Sequence, residues 1–364
     1  MAGRAKRVSF PLPAFLLMGG HGLQSFQHGH MRSRSGGIVM TGKGTGMDGM
    51  TGMPSGFSPA SLSSPSSTPG KRQVTLKSPI DCVGHGLHSG APVRLRLIPA
   101  APGTGIVFRR TDLGIDIPAS FNNVTDTRLC TLLTAPGRPD ARVGTVEHLM
   151  AALAAQGIDN LLIEIDGPEV PILDGSAAPF MFLIDCAGTE EQSESRLSIR
   201  ILKPVRVEAG NAFAELHPAE SGFSLSLSIE FDEAAIGRQA LTMTMDTDNF
   251  RHDLASARTF TMAKEIEAMR AAGLARGGSL DNAIVVDGDQ ILNPAGLRMP
   301  DEFVRHKMLD VVGDLAMAGR PLIGRFVGHR TGHALNNRLL HALLSDGSAW
   351  QTVSADIMGW LSAA

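Results

Sequence analysis

The sequence predicts an α+β fold made of two sheet-and-helix units packed on each other. Three observations support this: strand-like alternation gives way to helix-like segments, the same order occurs twice, and a polar stretch separates the two runs. The chain has 364 residues, enough for two ordinary domains. We therefore predict a first α+β domain over residues 73–194, a second over 195–364, and a disordered N-terminal extension over 1–72.

The extension differs from the rest of the chain in composition. It is rich in Gly, Ser, Met and Pro and has no hydrophobic period, which is typical of disorder. Its basic head and short apolar stretch superficially suit a signal peptide, but no clear small-x-small cleavage site follows. Several early methionines leave a start codon assigned too early as an alternative. We expect a protein that begins near Lys71 to keep its fold and turnover.

Alternating and continuous apolar runs define the strands of the first unit. PVRLRLIPA at 92–100 alternates apolar and charged residues as a half-buried strand does, and NLLIEID at 160–166 is a more continuous strand. DGSAAPFMFLIDCAG at 174–188 begins with a turn and continues into a helix. The polar segment EEQSESRLS, residues 190–198, is the predicted domain boundary.

A second helix of this unit has termini that can be read from its sequence. TVEHLMAALAAQG has Thr145 as its predicted N-cap and Gly157 as its C′ residue. In the second unit, AFAELH and FSLSLSIEF are predicted strands, AKEIEAMRAAG is a helix closed by Gly273, and NAIVVDGDQIL is a hairpin around Asp287 and Gly288. Two further helices follow, FVRHKMLDVVGDLAM and HALNNRLLHALLSDG.

Composition excludes several classes of protein. The net charge of −3 offers no general attraction for nucleic acid. The three cysteines form no CxxC pair, which favours a reducing compartment and argues against a cysteine-based zinc site. No apolar run reaches the roughly 18 residues that a membrane-spanning helix needs. We therefore expect no nucleic-acid partner and no membrane span.

The helix FVRHKMLDVVGDLAM carries polar groups on one stripe of an otherwise apolar surface. His306 and Asp310 are four residues apart and so share a face, with Glu302 and Asp314 flanking them. For an arbitrary helix, a solvated polar stripe is the commoner explanation. A His and an Asp at i, i+4 can also bind one divalent cation, but that pattern alone is weak because chance produces it often.

A metal site would need a third ligand and a base, and several histidines compete for the ligand position. His148 directly follows Glu147 in the first turn of a helix, so a ligand and a general base would lie side by side. Glu147 there is equally explained as an acid favoured by the helix dipole. The remaining ligand candidates are histidines elsewhere in the chain: His28, His30, His85 and His88. His333, just before a helix, could be a cap-region histidine or a catalytic acid.

Eight segments in the same order resemble the zinc-dependent UDP-3-O-acyl-N-acetylglucosamine deacetylases of lipid A biosynthesis. They extend from about Val74 to Trp360 and read GHGLHSG, RRTDL, GTVEHLMAAL, GIDNLLIEIDGPEVPILDGSAAPF, ARTF, GGSLDNAIVVD, DEFVRHKMLDVVGDL and GHALNN. The resemblance implies two similar sheet-and-helix sandwich domains with the active site between them. It also implies one Zn²⁺ per chain, held by His148, His306 and Asp310.

The resemblance also implies how the acetyl group of the substrate would be hydrolysed, releasing acetate. Glu147 would take the proton of the attacking water, and His333, kept cationic by Asp314, would protonate the leaving amine. Thr259 and Lys307 would stabilise the oxyanion. The sequence leaves open whether Glu147 performs both proton transfers.

For the substrate, a UDP-linked acylated amino sugar, the implied contacts are spread over the second unit. Phe231 would stack on uracil and Arg330 would meet the diphosphate. Phe260, Gly278 and Ser279 would line the passage for the acyl chain. We expect a cytoplasmic monomer with no cofactor besides the metal.

Other functions compete with this interpretation. Another zinc amidohydrolase, such as a peptidase, would share the metal and Glu147 without a uracil contact. A GHMP-type kinase would need a phosphate loop that opens a helix, whereas GGSLDNAIVVD opens a strand. A binding protein with a dead site would have lost Glu147 or a ligand, and none is lost.

Overall fold

In a computed structural model, which describes residues 71–354, the chain forms two groups of sheets with helices packed against them. The strands of the N-terminal half are β1 (Arg72–Leu76), β2 (Ile80–His85), β3 (Pro92–Pro99), β4 (Ile106–Arg110), β5 (Ile115–Pro118), β6 (Val124–Asp126), β7 (Leu132–Ala135), β8 (Arg138–Val143), β9 (Leu161–Ile165) and β10 (Thr189–Ser195). Its helices are α1 (Glu147–Ala155) and α2 (Ala178–Ala187), with a 3-10 turn at Phe121–Asn123.

The N-terminal half contains three sheets. The largest has the strand order β2-β3-β9-β4-β5, in which only β4 and β9 run parallel. Strands β6, β7 and β8 form a small antiparallel sheet, and β1 pairs with β10. Strand β3 has the predicted alternation of buried and exposed side chains: Val93, Leu95 and Leu97 are buried, and the arginines between them are exposed.

The C-terminal half is built around one large sheet. Its strands are β11 (Leu197–Ile201), β12 (Val205–Ala209), β13 (Ala212–His217), β14 (Phe223–Glu230), β15 (Arg238–Thr244), β16 (Phe260–Met262), β17 (Ile284–Asp287), β18 (Gln290–Ile291), β19 (Leu322–His329) and β20 (Trp350–Ser354). Its helices are α3 (Thr247–Asn249), α4 (Ala263–Ala271), α5 (Glu302–Leu315) and α6 (His333–Ser345), with a π-helix at Phe250–Leu254 and a 3-10 turn at Ala316–Ala318.

The large sheet has seven strands, with β12-β13-β19-β11-β20 in one row and β14 bridging β19 and β15. Its strand FSLSLSIE buries Leu225, Leu227 and Ile229, while the serines between them lie on the other face. Helix α5 packs near β14 and β15, and α6 packs on β12 and β13. A separate small sheet, β16-β17-β18, contains the predicted hairpin, with Gly288 in the left-handed region at its turn.

Helices α1 and α5 cross in direct contact and join the two halves. A Cβ atom added at Gly313 of α5 would lie 2.0 Å from the carbonyl oxygen of Glu147 in α1, so only glycine allows this approach. One hydrophobic cluster extends from Leu76 in the first half to Ala349 in the second. Close packing of these two helices is what brings their polar side chains together.

One sequence prediction about local structure is wrong, and one segment is more regular than its polarity suggests. The polar segment at 190–198, the predicted domain boundary, contains a strand, because residues Thr189–Ser195 form β10, which pairs with β1 from the start of the folded region. Thr145 is not the N-cap of α1. Its φ of +55° places it in the left-handed region, Val146 precedes the helix, and the Thr145 hydroxyl donates to Glu169 instead.

The predicted division into two domains stays a prediction. Strands before residue 196 pair only with each other within the described residues, and so do those after it. The whole described stretch nevertheless forms one compact unit. Residues 1–70 lie outside the described residues, and Arg72 already belongs to β1. No helix within residues 71–354 has the length and apolar character to cross a membrane.

Candidate metal centre and active site

The polar stripe of α5 is buried and not solvated. His306 and Asp310 are each 2 % exposed and Asp314 is 3 % exposed, although Lys307 beside them reaches solvent with part of its side chain. Burying ionisable groups without partners costs several kcal/mol, so the stripe must face compensating groups. Those groups come from α1, from the residue before β7 and from the start of α6.

His148 of α1 completes a group of three potential metal ligands. Its Nε2 lies 3.7 Å from Oδ1 of Asp310, and Nε2 of His306 lies 3.4 Å from the same oxygen. The three ligand atoms lie within 4.8 Å of one another. Oδ1 of Asp310 has no hydrogen-bond partner although it is buried. Such a carboxylate oxygen, facing two imidazole nitrogens, fits a divalent cation.

The protonation states of these side chains suit a ligand set. Burial lowers the pKa of His148 to about 3, with the neighbouring His306 adding to the effect, and burial likewise lowers the pKa of His306. Nδ1 of His306 lies 3.1 Å from the carbonyl oxygen of Ala257, which can only accept, so Nδ1 carries the proton and Nε2 presents its lone pair. Burial alone would raise the pKa of Asp310, but His306 and Lys307 hold it below its usual range.

Glu147 lies beside this group with one oxygen held and the other oriented toward a histidine. Its Oε2 accepts the backbone N–H of Thr131 at 3.0 Å, and its Oε1 lies 3.8 Å from Nε2 of His333. The pKa of Glu147 is raised to about 7, mainly by burial, with His333 opposing the shift and the charges of Asp310 and Asp314 adding to it. A carboxylate with a pKa near neutrality suits a general base.

His333, the first residue of α6, has its pKa raised so that it stays protonated near neutral pH. Its Nδ1 lies 2.8 Å from Oδ2 of Asp314. Burial alone would lower the pKa of His333, but Asp314 and Glu147 outweigh burial and raise it to about 9. The site therefore pairs a carboxylate that ionises readily near neutral pH with an imidazole that stays protonated there.

Lys307 and Thr259 are the remaining predicted groups of the reaction centre. Nζ of Lys307 lies 3.0 Å from Oδ2 of Asp310, and burial, which lowers its pKa, is outweighed by Asp310, which raises it. Thr259 lies two residues after Ala257, whose carbonyl orients His306. Its backbone N–H donates to Gly175, and no described contact joins its hydroxyl to the metal ligands.

An open cleft of about 330 Å³ adjoins the cluster on the side of Lys307. Phe231, Arg330 and Lys307 line it, together with acidic side chains such as Glu230. The ring of Phe231 packs edge-on against Phe260 at 5.5 Å between centroids. Arg330 has a φ of +51°, and its Nη1 lies 3.8 Å from Oε2 of Glu230. Strained backbone of this kind concentrates at functional positions.

Comparison with known proteins agrees with this arrangement. A family model described as UDP-3-O-acyl N-acetylglycosamine deacetylase matches residues 73–345. The chain belongs to this family. It is 50% identical to a UDP-3-O-acyl-N-acetylglucosamine deacetylase of Chromobacterium violaceum over 78% of this chain and 94% of that protein. Identity to proteins of the same name is 52% for Acidithiobacillus ferrooxidans and 51% for Haemophilus influenzae, each over 78% of this chain and 93% of the relative. The predicted family and α+β fold class are confirmed.

Family membership leaves the roles of individual side chains as predictions, and the structure places them in two groups. The first group is linked to the metal ligands by the contacts given above or lines the adjoining cleft: Glu147, Lys307, Asp314, His333, Phe260, Phe231 and Arg330. Thr259 is near them only in the chain, two residues after Ala257. Gly278 and Ser279 are not among the residues that line the cleft, and they lie in the loop after α4, where Gly278 approaches the side chain of Leu87. That loop is tied to the GHGLHSG segment by the bond from the Gly277 N–H to the Leu87 carbonyl.

Of the competing histidines, His85 and His88 belong to the described residues and do not join the metal group. Within residues 71–354, the only cluster of three metal-binding side chains is the one described above. His88 lies near Glu169, which accepts its backbone N–H, and both of its ring nitrogens are without a partner. His28 and His30 lie outside the described residues.

Sequence reasoning missed three groups that shape the site: Thr131, Asn336 and the carbonyl of Ala257. Each acts through a contact between segments that are distant in the chain, and no local pattern marks it. Sequence reasoning also grouped Glu302 with the stripe. The structure directs this side chain away from the metal group to Arg258, with which it forms a buried ion pair at 2.9 Å.

Proposed function

We propose that this chain hydrolyses the N-acetyl group of a UDP-3-O-(3-hydroxyacyl)-N-acetylglucosamine in lipid A biosynthesis, releasing acetate. The observation that carries the proposal is a buried His-His-Asp group beside one side chain suited to accept a proton and another suited to donate one. Oδ1 of Asp310 lacks a partner, Glu147 has a pKa of about 7 and His333 has a pKa of about 9. This combination suits metal-assisted hydrolysis of an amide.

The metal in this proposal is one Zn²⁺ per chain, held by His148, His306 and Asp310. Two imidazoles and one carboxylate are typical zinc ligands, and three protein ligands leave a position open, as in catalytic sites. A zinc ion held there would supply Lewis-acid activation of water and of the acetamide carbonyl. The Ala257 carbonyl would keep His306 in the ligating tautomer.

Glu147 is the proposed general base. The backbone N–H of Thr131 fixes Oε2, so Oε1 is the oxygen free to receive the proton of the attacking water. Because burial raises the pKa of Glu147 to about 7, the ionised form is a better proton acceptor than an ordinary glutamate. Its carboxylate is close enough to Asp310 for the charge of that proposed ligand to raise its pKa.

His333 is the proposed general acid for the leaving amine. Asp314 holds Nδ1 at 2.8 Å, so Nε2 is the nitrogen that faces Glu147 and the reaction centre. A pKa of about 9 keeps the ring cationic at neutral pH. Lys307 would stabilise the negative charge that develops on the carbonyl oxygen, and Thr259 is the proposed second donor.

The cleft is the proposed site for the nucleotide part of the substrate. Phe231 would stack on uracil, and Arg330 would exchange its loose contact with Glu230 for a bidentate contact to the diphosphate. Phe260 packs 6.2 Å from the ring of His306, so it connects the cleft with the metal group. With Gly278 and Ser279, it is the proposed lining of the acyl passage.

The proposal includes a monomer in the cytoplasm. The cysteines Cys82, Cys130 and Cys186 are all free thiols, which suits a reducing compartment. Oligomeric state can be measured by light scattering of the purified protein.

The decisive experiment combines metal analysis with an acetate assay. Purified protein should contain about one zinc per chain and release acetate from UDP-3-O-acyl-N-acetylglucosamine, with activity lost on chelation and regained with zinc. UDP-N-acetylglucosamine, which lacks the acyl chain, is the matched control and should react far more slowly. Zinc-loaded protein that releases no acetate from the acylated substrate would overturn the proposal.

A further inference from the structure

Thr131 contacts both catalytic carboxylates although neither the sequence motifs nor the proposed mechanism assigns it a role. It immediately precedes β7 and is 2 % exposed. Its backbone N–H donates to Oε2 of Glu147 at 3.0 Å, and its hydroxyl donates to Oδ1 of Asp314 at 2.6 Å. One residue of the N-terminal half thus holds an acid from α1 and an acid from α5.

The backbone around Thr131 is anchored to the start of α1. Its carbonyl oxygen accepts the N–H of Val146, the residue that precedes the helix, at 3.5 Å. The position of Thr131 is therefore tied to that of Glu147 through two backbone contacts. Any group that the Thr131 side chain holds is placed relative to the base.

Asp314 has donors on both of its oxygens. Oδ2 accepts Nδ2 of Asn336 at 2.8 Å and faces Nδ1 of His333 at the same distance, while Oδ1 accepts the Thr131 hydroxyl. Asn336 is fully buried, and its own Oδ1 accepts the hydroxyl of Thr331 at 2.7 Å. Donors on both sides of a carboxylate fix its plane, and the direction of that plane sets where His333 points.

We infer that Thr131 is a positioning residue that orients Asp314, and through it His333, relative to Glu147. The inference rests on the proposed function, because it assigns Thr131 to the same acid and base. Without the hydroxyl, Oδ1 of Asp314 would be buried with no hydrogen-bond donor. The carboxylate plane would then rotate, because only the hydrogen bonds to Oδ2 from Asn336 and His333 would still hold it. His333 would then lose its alignment although its partner and its charge remain.

Thr131→Val removes the hydroxyl and keeps the branched shape and the backbone N–H. Mutating the outer partners of side chains at a metal site typically costs 10- to 100-fold in activity, and we expect kcat to fall by about that factor. KM and zinc content should stay near wild type, since Thr131 contacts neither the cleft nor a ligand. Thr131→Ser restores the donor and should restore most of kcat.

A matched control removes another buried threonine hydroxyl far from the site. Thr75 is 6 % exposed, and its hydroxyl donates to the carbonyl of Asn160 at 2.7 Å. Thr75→Val should lower the melting temperature and leave kcat unchanged. If Thr131→Val does not fold, Thr131→Ala removes the same donor with less bulk and replaces it in every comparison.

A double-mutant cycle with Asp314→Asn separates positioning from general destabilisation. If Thr131 acts through Asp314, adding Thr131→Val to Asp314→Asn should lower kcat much less than it does in the wild type. The inference would be overturned if folded Thr131→Val kept the wild-type kcat. It would also be overturned if the effects of Thr131→Val and Asp314→Asn on kcat were fully additive, or if the loss of kcat were explained by missing zinc. An inactive, zinc-loaded wild type would instead refute the proposed function.

Discussion

Two buried carboxylates of α5, one at its N-terminal end and one in its middle, differ in how completely they are paired. At the N-terminal end, Glu302 accepts the backbone N–H and guanidinium of Arg258 at 2.9 to 3.2 Å, and the backbone N–H of Arg298 at 2.6 Å. In the middle, Asp310 has Lys307 on Oδ2 and no donor on Oδ1. Both are buried carboxylates on the same helix, so unmet hydrogen-bonding capacity is what distinguishes the proposed ligand from the structural ion pair.

The largest expected effect is the loss of zinc on substitution of Asp310, whose Oδ1 is unpaired, or of its neighbour His306. His306→Ala or Asp310→Ala should lose most of the bound zinc and, with it, the activity, since two protein ligands hold zinc poorly. Metal analysis of the purified variants by mass spectrometry tests this directly. Full zinc occupancy in either variant would show that the ligand assignment is wrong.

Glu147→Ala should separate metal binding from proton transfer. We expect a loss of activity by a factor of about 100 or more, the scale of a general base, with zinc content unchanged. The measurement is acetate release per zinc-containing chain. Near-normal turnover with bound metal would remove Glu147 from the mechanism.

Glu302 should show the opposite behaviour. Glu302→Gln leaves the Arg258 guanidinium buried without a counter-charge, which typically costs about 3 to 5 kcal/mol of unfolding free energy. Zinc content and activity per folded chain should change little. Urea unfolding of the metal-free protein measures the effect.

A suitable control for Glu302 is the exposed pair of Asp116 with Arg109, whose side chains are 46% and 41% exposed. Asp116→Asn should change the unfolding free energy by less than about 1 kcal/mol, because exposed pairs are screened by solvent. Equal losses of unfolding free energy in the two variants would mean that breaking the buried Glu302 pair costs no more than breaking an exposed one.

The smallest expected effect is a shift in the pH profile. Glu147 must be ionised and has a pKa of about 7, so activity should rise as the pH increases through that value. His333 must be protonated and has a pKa of about 9, so activity should fall as the pH increases further. A bound cation would move both limbs to lower pH, and the limbs belong to the coupled site.

Asp314 is the group that should move the basic limb. Its negative charge raises the pKa of His333, so Asp314→Asn should shift that limb to lower pH and reduce the maximum rate. The kcat profile of the purified variant is the measurement. If the limb stays in place in both Asp314→Asn and His333→Gln, Glu147 must perform both proton transfers.

Sequence alone was sufficient where the information is local. Helical geometry predicts that His306 and Asp310 share a face, and alternation predicts the strands β3 and β14. The placement of His148 beside them depends on the family resemblance, since it requires α1 to cross α5. Thr131 and Ala257 could not be found, because a threonine before a strand and a backbone carbonyl carry no pattern of their own.

Strand β10 and the role of Thr145 were missed for the same reason, because both depend on contacts between distant segments of the chain. Strand β10 is polar because most of its side chains are exposed, and its partner β1 is more than a hundred residues away in the chain. A short exposed strand therefore looks like a loop in the sequence. Thr145 has the residue type of an N-cap, but its hydroxyl is used by Glu169, which also accepts the backbone N–H groups of His88 and Ser89.

Gly313 has a consequence for attempts to stabilise this protein. Glycine inside a helix costs roughly 1 kcal/mol relative to alanine, so replacing it is an ordinary way to strengthen a helix. Here the added methyl group would meet the α1 backbone at Glu147, the proposed base. The two helices would have to separate, and the proposed ligands His148, His306 and Asp310 would separate with them. Helix propensity and the alignment of the proposed site therefore favour different residues at this position, and the glycine present is the one that suits alignment.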